Sequence, residues 1–403
     1  MLFLKKILLK SLRLVKIFYK SKIILRSPPK KKIIIFDDGG SNHLEKIINM
    51  EEAYLLSVRE NKIYKIYFYL PILIKTFKFL LSHKLSTSYF CAIIETINPK
   101  LVITMIDNSI LFSNVAKILE KKHKFIAVQN AARYEFDELG KEHAKKFYIP
   151  ELACFGKFEK NLYNRHNIKV KNFFVCGSLN ISFFQDYLKK LSRKKKTNNY
   201  KKHDICLISE PSLGFDKPFP GFEKSIAKVA EYTIRLAKKH NLKLVFAGKR
   251  PQFIFEKSPF SKKLIKKENA LHKNEIIFYK KYLKGDFKII ERDVKKYSSY
   301  QAMTNSNLTI AMMSTLLREN MVMGGKILSC NFTNNKIWNF PIQGICSFNN
   351  LSFDKFEKRV LKLLSISHKN YISNLKKNPN YLVYYSKKNS TKDLLKKRIQ
   401  SFI

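Results

Sequence analysis

Short apolar runs alternate with helix-patterned stretches along most of this chain, and that alternation restricts the fold more than any other feature. In the first half, strands are expected at Ile33 to Phe36, Ala53 to Val58, Leu101 to Ile106, Phe125 to Gln129, Leu152 to Phe155 and Phe173 to Cys176. Helical patterns over Tyr67 to Leu81, Thr87 to Ile97 and Ser109 to Lys121 separate them. Strands joined through helices pair in parallel by right-handed crossovers. From Leu188 to His203 charge replaces the apolar pattern, as in an inter-domain linker. The alternation restarts with strands at Ile205 to Ser209, Lys243 to Ala247 and Phe287 to Ile290, around helices near Glu223 to His240 and Lys262 to Tyr282. The expected fold class is α/β, with two doubly wound domains facing across a cleft. The expected division is a basic N-terminal helix at 1–30, a first domain at 31–187, the linker at 188–203, a second domain at 204–380 and a C-terminal helix at 381–403. A chain of 403 residues with 45% hydrophobic content has ample apolar material for two cores.

The last β-α-β unit, Lys296 to Asn331, carries the most chemistry. A polar helical segment, Tyr297 to Ser306, leads into the apolar run Leu308 to Met313, then Ser314 and Thr315, a helix from about Leu316 to Met323, Gly324-Gly325 and a second run, Ile327 to Cys330. Hydroxyls and backbone N–H groups at a helix N-terminus favour an anion such as a nucleotide phosphate. Glu319 lies four residues after Thr315 on the same helix face, one turn below, within reach of a ribose diol. The plainer reading is a Ser/Thr helix cap followed by a solvated Glu.

Polar residues at the other strand ends are the remaining candidates. Ile33 to Phe36 runs into Asp37-Asp38-Gly39-Gly40, Leu101 to Ile106 into Asp107-Asn108-Ser109, and Phe125 to Val128 into Gln129-Asn130, with Arg133 soon after. Ile205 to Ile208 ends in Ser209-Glu210, and Lys243 to Ala247 in Gly248-Lys249-Arg250. The first half thus offers carboxylates as general bases, the second cations and hydroxyls for a diphosphate. Each has a structural alternative: an Asx turn at Asp37-Asp38, a helix cap at Asp107, solvated surface at Lys249-Arg250.

Lys+Arg 78 against Asp+Glu 31 gives a net charge of +47, spread along the chain, which favours an anionic partner: phosphorylated substrate, acidic lipid or nucleic acid. The first 26 residues place Lys6, Lys10, Arg13, Lys16 and Lys20 at helical spacing with Leu4, Leu8, Leu12, Val15 and Tyr19 on another face. They are too interrupted to span a bilayer and suit a helix lying on an anionic membrane surface, or one packed on the protein body. The six cysteines interrupt apolar runs and form no C-x-x-C pair, so they read as buried free thiols. His43 and His143 lie near candidate loops and read as structural. No metal-ligand constellation is present, and the sequence lacks G-x-x-x-x-G-K-[ST], a G-x-G-x-x-G after the first strand, G-x-S-x-G and H-E-x-x-H, which removes most of the weight from NTPase, dinucleotide oxidoreductase, α/β-hydrolase and zinc-protease readings.

The pattern S-Y-x-A-x-x-x-S-x-x-x-x-x-x-x-S-T-x-x-x-E-x-x-x-x-G-x-K over Ser299 to Lys326 resembles the GT-B class of nucleotide-sugar glycosyltransferases, built from two Rossmann-like domains. SVRENKIY (Ser57 to Tyr64), LVITMIDNS (Leu101 to Ser109), FIAVQNAARY (Phe125 to Tyr134) and CFGK (Cys154 to Lys157) further resemble bacterial surface-carbohydrate biosynthesis proteins of capsule and O-antigen clusters. Departures are Met313 before the Ser-Thr pair, Ala131 in place of Gly after Asn130, and no Glu-x7-Glu doublet around Glu319. The resemblance implies transfer of a sugar from a nucleotide-sugar to a glycan or lipid-linked acceptor, on the cytoplasmic face of an anionic membrane and without a metal or other cofactor. It puts Ser314, Thr315 and Glu319 at the donor nucleotide, with Lys249 and Arg250 on the phosphates and Ser209 beside them. Asp107 is the expected base, Asp38 the second choice, and Gln129, Asn130 and Arg133 the acceptor side of the cleft. A non-hydrolysing epimerase on the same architecture is the runner-up. A basic nucleic-acid-binding or scaffolding protein is a third reading, but the scattered lysines and the absence of a recognised DNA or RNA motif oppose it, so nucleic acid is not an expected partner.

Overall fold

The computed structural model describes residue 15, residues 17–59, 63, 65–134, 146–193, 202–211, 219–250, 261–283, 287–333, 335–349 and 351–403, with backbone alone over 261–271. Most of the expected N-terminal helix, and His143, lie outside the described residues. Thirteen strands fall within them: β1 (Lys22–Ile24), β2 (Ile33–Phe36), β3 (Ala53–Leu56), β4 (Lys65–Tyr67), β5 (Leu101–Thr104), β6 (Lys124–Val128), β7 (Tyr148–Cys154), β8 (Lys169–Val175), β9 (His203–Ile208), β10 (Leu244–Ala247), β11 (Ser306–Ala311), β12 (Lys326–Cys330) and β13 (Ser347–Phe348).

Every strand pairing among them is parallel. The first sheet has the order β3-β2-β5-β6-β7-β8 and the second β10-β9-β11-β12-β13, while β1 and β4 form a separate two-stranded ribbon. β2 and β5 read IIIF and LVIT and are wholly buried, because helices cover both faces of a parallel sheet. In each sheet the winding reverses beside the first central strand, between β2 and β5 and between β9 and β11. Such reversals open a crevice beyond the strands' carboxyl ends. All six cysteines are buried and unpaired, in agreement with their positions in apolar runs.

Phe287 to Ile290, expected as a strand, contributes only an isolated bridge from Ile290 to Ala247. Phe287 and Ile289 pack partly against the core, while Ile290 is 46% exposed. The helix Leu179–Ser192 extends into the stretch expected as a linker.

After the second sheet the chain returns to the first. Tyr384 N–H donates to the Phe155 carbonyl at 2.7 Å. Glycine is required where it crosses: a Cβ on Gly156 would lie 2.5 Å from the Leu382 carbonyl oxygen, and Gly177 (φ +91°) faces Tyr384 as closely. The terminal helix Thr391–Gln400 then buries Leu395 and Ile399 in the core around Ile33 and Leu101. Its Arg398 grips Glu151 of β7 with two hydrogen bonds of 2.8 and 2.6 Å.

Candidate functional site

The helix Thr315–Val322 begins where β11 ends, and Ser314 caps it by accepting the Leu316 N–H. Its polar face docks on the first domain. Thr315 Oγ1 accepts the Ala132 N–H at 3.0 Å, Arg318 Nη1 donates to Glu159 Oε1 at 3.0 Å, and Glu319 accepts a hydrogen bond from Ser178 Oγ. Tyr134 of the first domain returns a bond to the Met313 carbonyl. The turn read as a donor site is therefore also the joint between the domains.

Beside this joint lies a cleft of about 540 Å³, walled by the carboxyl ends of both sheets. Ser209, Lys249, Ser314, Thr315 and Glu319 line it from the second domain, and Asn130 from the first. Tyr300 OH donates to Glu319 Oε2 at 2.6 Å, so this carboxylate holds hydroxyls from both domains. Burial pushes Glu319 up to about 7, although both hydrogen bonds and nearby Arg292 favour its charged form. Glu210, on the same wall, accepts the Met312 and Met313 N–H groups, and burial raises it to about 7 as well. Burial lowers Lys249, an effect opposed by Glu210.

Five expected site residues lie elsewhere. Asp107 is wholly buried and bound by the Arg133 guanidinium through both oxygens, with Tyr163 OH on Oδ2 at 3.3 Å. The side chain does not line the cleft, where a base was expected. Its partner Arg133 does not line the cleft either. Gln129 ties down the first domain, donating to Glu159 and accepting the Phe155 N–H. Asp38 sits in the turn before Ser41 and not in the cleft wall, while Asp37 takes positive φ and accepts from Gly39 N–H and Arg59. This is the Asx turn that the Asp-Asp-Gly-Gly pattern also permitted. Arg250 joins the neighbouring loop through its backbone N–H, which donates to Glu275 Oε2 at 3.0 Å.

Other cleft residues were not singled out as site groups from sequence. Lys46, Asn180, Arg292 and Tyr300 line the cavity. His43, read as structural, lines it too: its Nδ1 lies 3.3 Å from the Gly40 carbonyl, its Nε2 2.9 Å from the Asn180 side-chain amide, and its ring stacks on Phe183. Burial, with Lys46 and Arg292 nearby, lowers its pKa from the ordinary 6.5, against the opposing pull of the Gly40 and Asn180 hydrogen bonds. Both neighbours are oxygen acceptors, so the neutral ring donates to one of them and carries its lone pair on the other nitrogen. Glu275 holds the Lys249 loop by accepting from Ser209 Oγ and from the Lys249 and Arg250 N–H groups. It comes from a helix remote in sequence, a pairing no local pattern signals. No group of His, Cys, Asp and Glu side chains suited to a metal ion occurs among the described residues.

This arrangement, two parallel sheets with their reversals facing one cavity, matches solved structures over nearly the full chain. A structure from Listeria monocytogenes assigned as a UDP-N-acetylglucosamine 2-epimerase is 11% identical, with a TM-score of 0.52 and 92% of this chain and 95% of that chain covered. An α,α-trehalose 6-phosphate synthase structure from Burkholderia multivorans is 8% identical, with a TM-score of 0.49 and coverage of 93% and 96%. The fold is of the GT-B type. No protein-family model matches the sequence, and no curated protein does. At these identities the likeness establishes architecture, and the chemistry must come from the cleft itself. GT-B folds serve both nucleotide-sugar transferases and epimerases, the two enzyme classes anticipated from the Ser299 to Lys326 pattern.

Proposed function

We propose that the protein is a glycosyltransferase that takes a nucleotide-sugar into this cleft and passes the sugar to a glycan or lipid-linked acceptor in surface polysaccharide biosynthesis. The observation carrying the proposal is one cavity with cations and a helix N-terminus on its second-domain wall and a neutral histidine on the first-domain wall. Lys249, Arg292 and the start of the helix at Thr315 attract the diphosphate. Glu319 takes the ribose, with Ser178 giving way to the sugar hydroxyls. His43 replaces Asp107 and Asp38 as the base. Its Nε2 accepts the acceptor hydroxyl proton as the acceptor oxygen bonds to the anomeric carbon and the bond to the nucleoside diphosphate breaks; the tautomer this needs donates Nδ1–H to the Gly40 carbonyl, with the acceptor hydroxyl taking the place of Asn180 Oδ1 at Nε2.

The lipid-linked acceptor and a position on the cytoplasmic face of the membrane are supported by the +47 charge and the basic-apolar residues 1–26. No helix among the described residues is long and apolar enough to cross a membrane. The second reading, an epimerase, is favoured by the Listeria likeness. Nucleoside diphosphate released from a nucleotide-sugar only when acceptor is present supports transfer. Interconversion of the donor sugar without acceptor supports the epimerase instead.

A further inference from the structure

The helix Leu70–Leu80 is apolar on two opposite faces, and only one of them meets the protein. Ile72 and Thr76 are buried, and Phe79 packs against the core. Leu70, Ile74, Phe77 and Leu81 recur at intervals of four, three and four residues and are 67%, 50%, 69% and 89% exposed. At 100° per residue these four side chains share an arc of roughly 60°, an apolar stripe along the helix. The β1-β4 ribbon extends it: Ile24 pairs with Tyr67, which sets exposed Leu25 beside exposed Phe68. Most of the exposed large apolar side chains of the described residues gather in this corner of the first domain.

Charge identifies what covers the stripe. Neither residues 1–36 nor residues 61–94 contain a single Asp or Glu, whereas Lys75 and Lys78 lie within the helix and Lys65 and Lys84 flank it in sequence. An apolar stripe on a helix whose charged residues are all cations complements an anionic lipid surface, where the stripe enters the acyl boundary and the lysines meet the phosphates. A second protein would need its own acidic rim, and a second copy of this chain would bring like charge.

We propose that the helix Leu70–Leu80, with the adjoining β1-β4 ribbon, is a membrane-docking face that sits in the headgroup region of bilayers containing anionic phospholipid. It deepens the reading of a lipid-linked acceptor, because it seats the domain bearing His43 on the surface where such an acceptor resides. Docking itself needs no turnover.

The test uses the full chain with phosphatidylglycerol/phosphatidylcholine vesicles. Phe77→Trp places a fluorophore on the stripe, against a native Trp338 that is buried and insensitive to lipid. The emission of Phe77→Trp is expected to be that of exposed indole in buffer and to shift to the blue with anionic vesicles, but not with pure phosphatidylcholine. The pair Phe77→Glu and Leu81→Glu, with residues 1–26 intact, is expected to reduce vesicle partitioning by about tenfold or more while leaving the melting temperature and nucleotide-sugar binding unchanged. A blue-shifted emission without lipid would mean that the chain's own N-terminal residues or a second copy cover the stripe, and would overturn the proposal. So would unchanged partitioning of the double variant. Failure of every nucleotide-sugar to bind would sink the transferase reading but leave the vesicle result standing.

Discussion

Arg318 of the second domain and Glu159 of the first form an ion pair at 3.0 Å with neither side chain exposed. The guanidinium also donates to the Arg133 carbonyl at 2.7 Å and lies over the rings of Tyr134 and Phe158. Burial pushes Glu159 above the usual carboxylate range, and the pull of Arg318 in the other direction is smaller. The pair is tolerable only while both partners are present. Arg318→Met is therefore expected to lower the unfolding free energy by about 3–5 kcal/mol, and the double variant Arg318→Met with Glu159→Gln to recover part of the loss. Urea denaturation checks this, and a wild-type midpoint for the single variant would remove the bolt from the account.

In the proposed reading Asp107 is a structural ion-pair partner and His43 is the base. Asp107→Asn strands the Arg133 cation among buried groups and is expected to lower stability by a few kcal/mol. His43→Gln is expected to keep the fold and donor binding while reducing transfer by about 100-fold or more. Melting temperatures and single-turnover rates for the two variants separate the roles, and a stable, inactive Asp107→Asn protein would restore the aspartate as base.

The domain joint is pH-sensitive through Glu319. Burial raises its folded pKa to about 7, above the ordinary 4.5, so protonated Glu319 favours the folded state. That contribution is present below pH 4.5 and is lost as pH rises through 7; each pH unit separating the folded from the unfolded value corresponds to about 1.4 kcal/mol. Glu319→Gln is expected to flatten this part of the stability-versus-pH curve. Parallel curves for wild type and variant between pH 5 and 8 would show that Glu319 does not titrate there.

In the proposed reading Lys249, which lines the cleft, meets the diphosphate rather than the nucleoside. Lys249→Met is expected to weaken nucleoside diphosphate binding by roughly 1.5–3 kcal/mol and to leave the affinity for the nucleoside alone unchanged. Calorimetry with both ligands distinguishes this from a general loss of the site.

The strands were legible because fully buried parallel strands are continuous apolar runs. β2 coincides with the run Ile33 to Phe36, and the helix at Thr315–Val322 was readable from Ser314 as its cap and Gly324 after its end. β1, β4 and the return of Thr391–Gln400 to the first domain were not, since their partners lie from about 40 to more than 350 residues away and the segments themselves are amphipathic or basic. Residues at strand ends were found, but strand ends alone do not distinguish a free carboxylate from one already paired. Arg133 lies 26 residues after Asp107, and only the fold brings the two into contact.

The central claim is that the cleft at Lys249, Ser314, Thr315 and Glu319 binds a nucleotide-sugar. Differential scanning of the purified protein against UDP-, GDP-, CDP- and dTDP-sugars tests it most directly. One base is expected to raise the melting temperature, with a ligand at 100 times its dissociation constant adding about 2.7 kcal/mol, and Glu319→Ala is expected to diminish the shift. No shift with any member of the panel, or an equal shift in wild type and Glu319→Ala, would contradict the account.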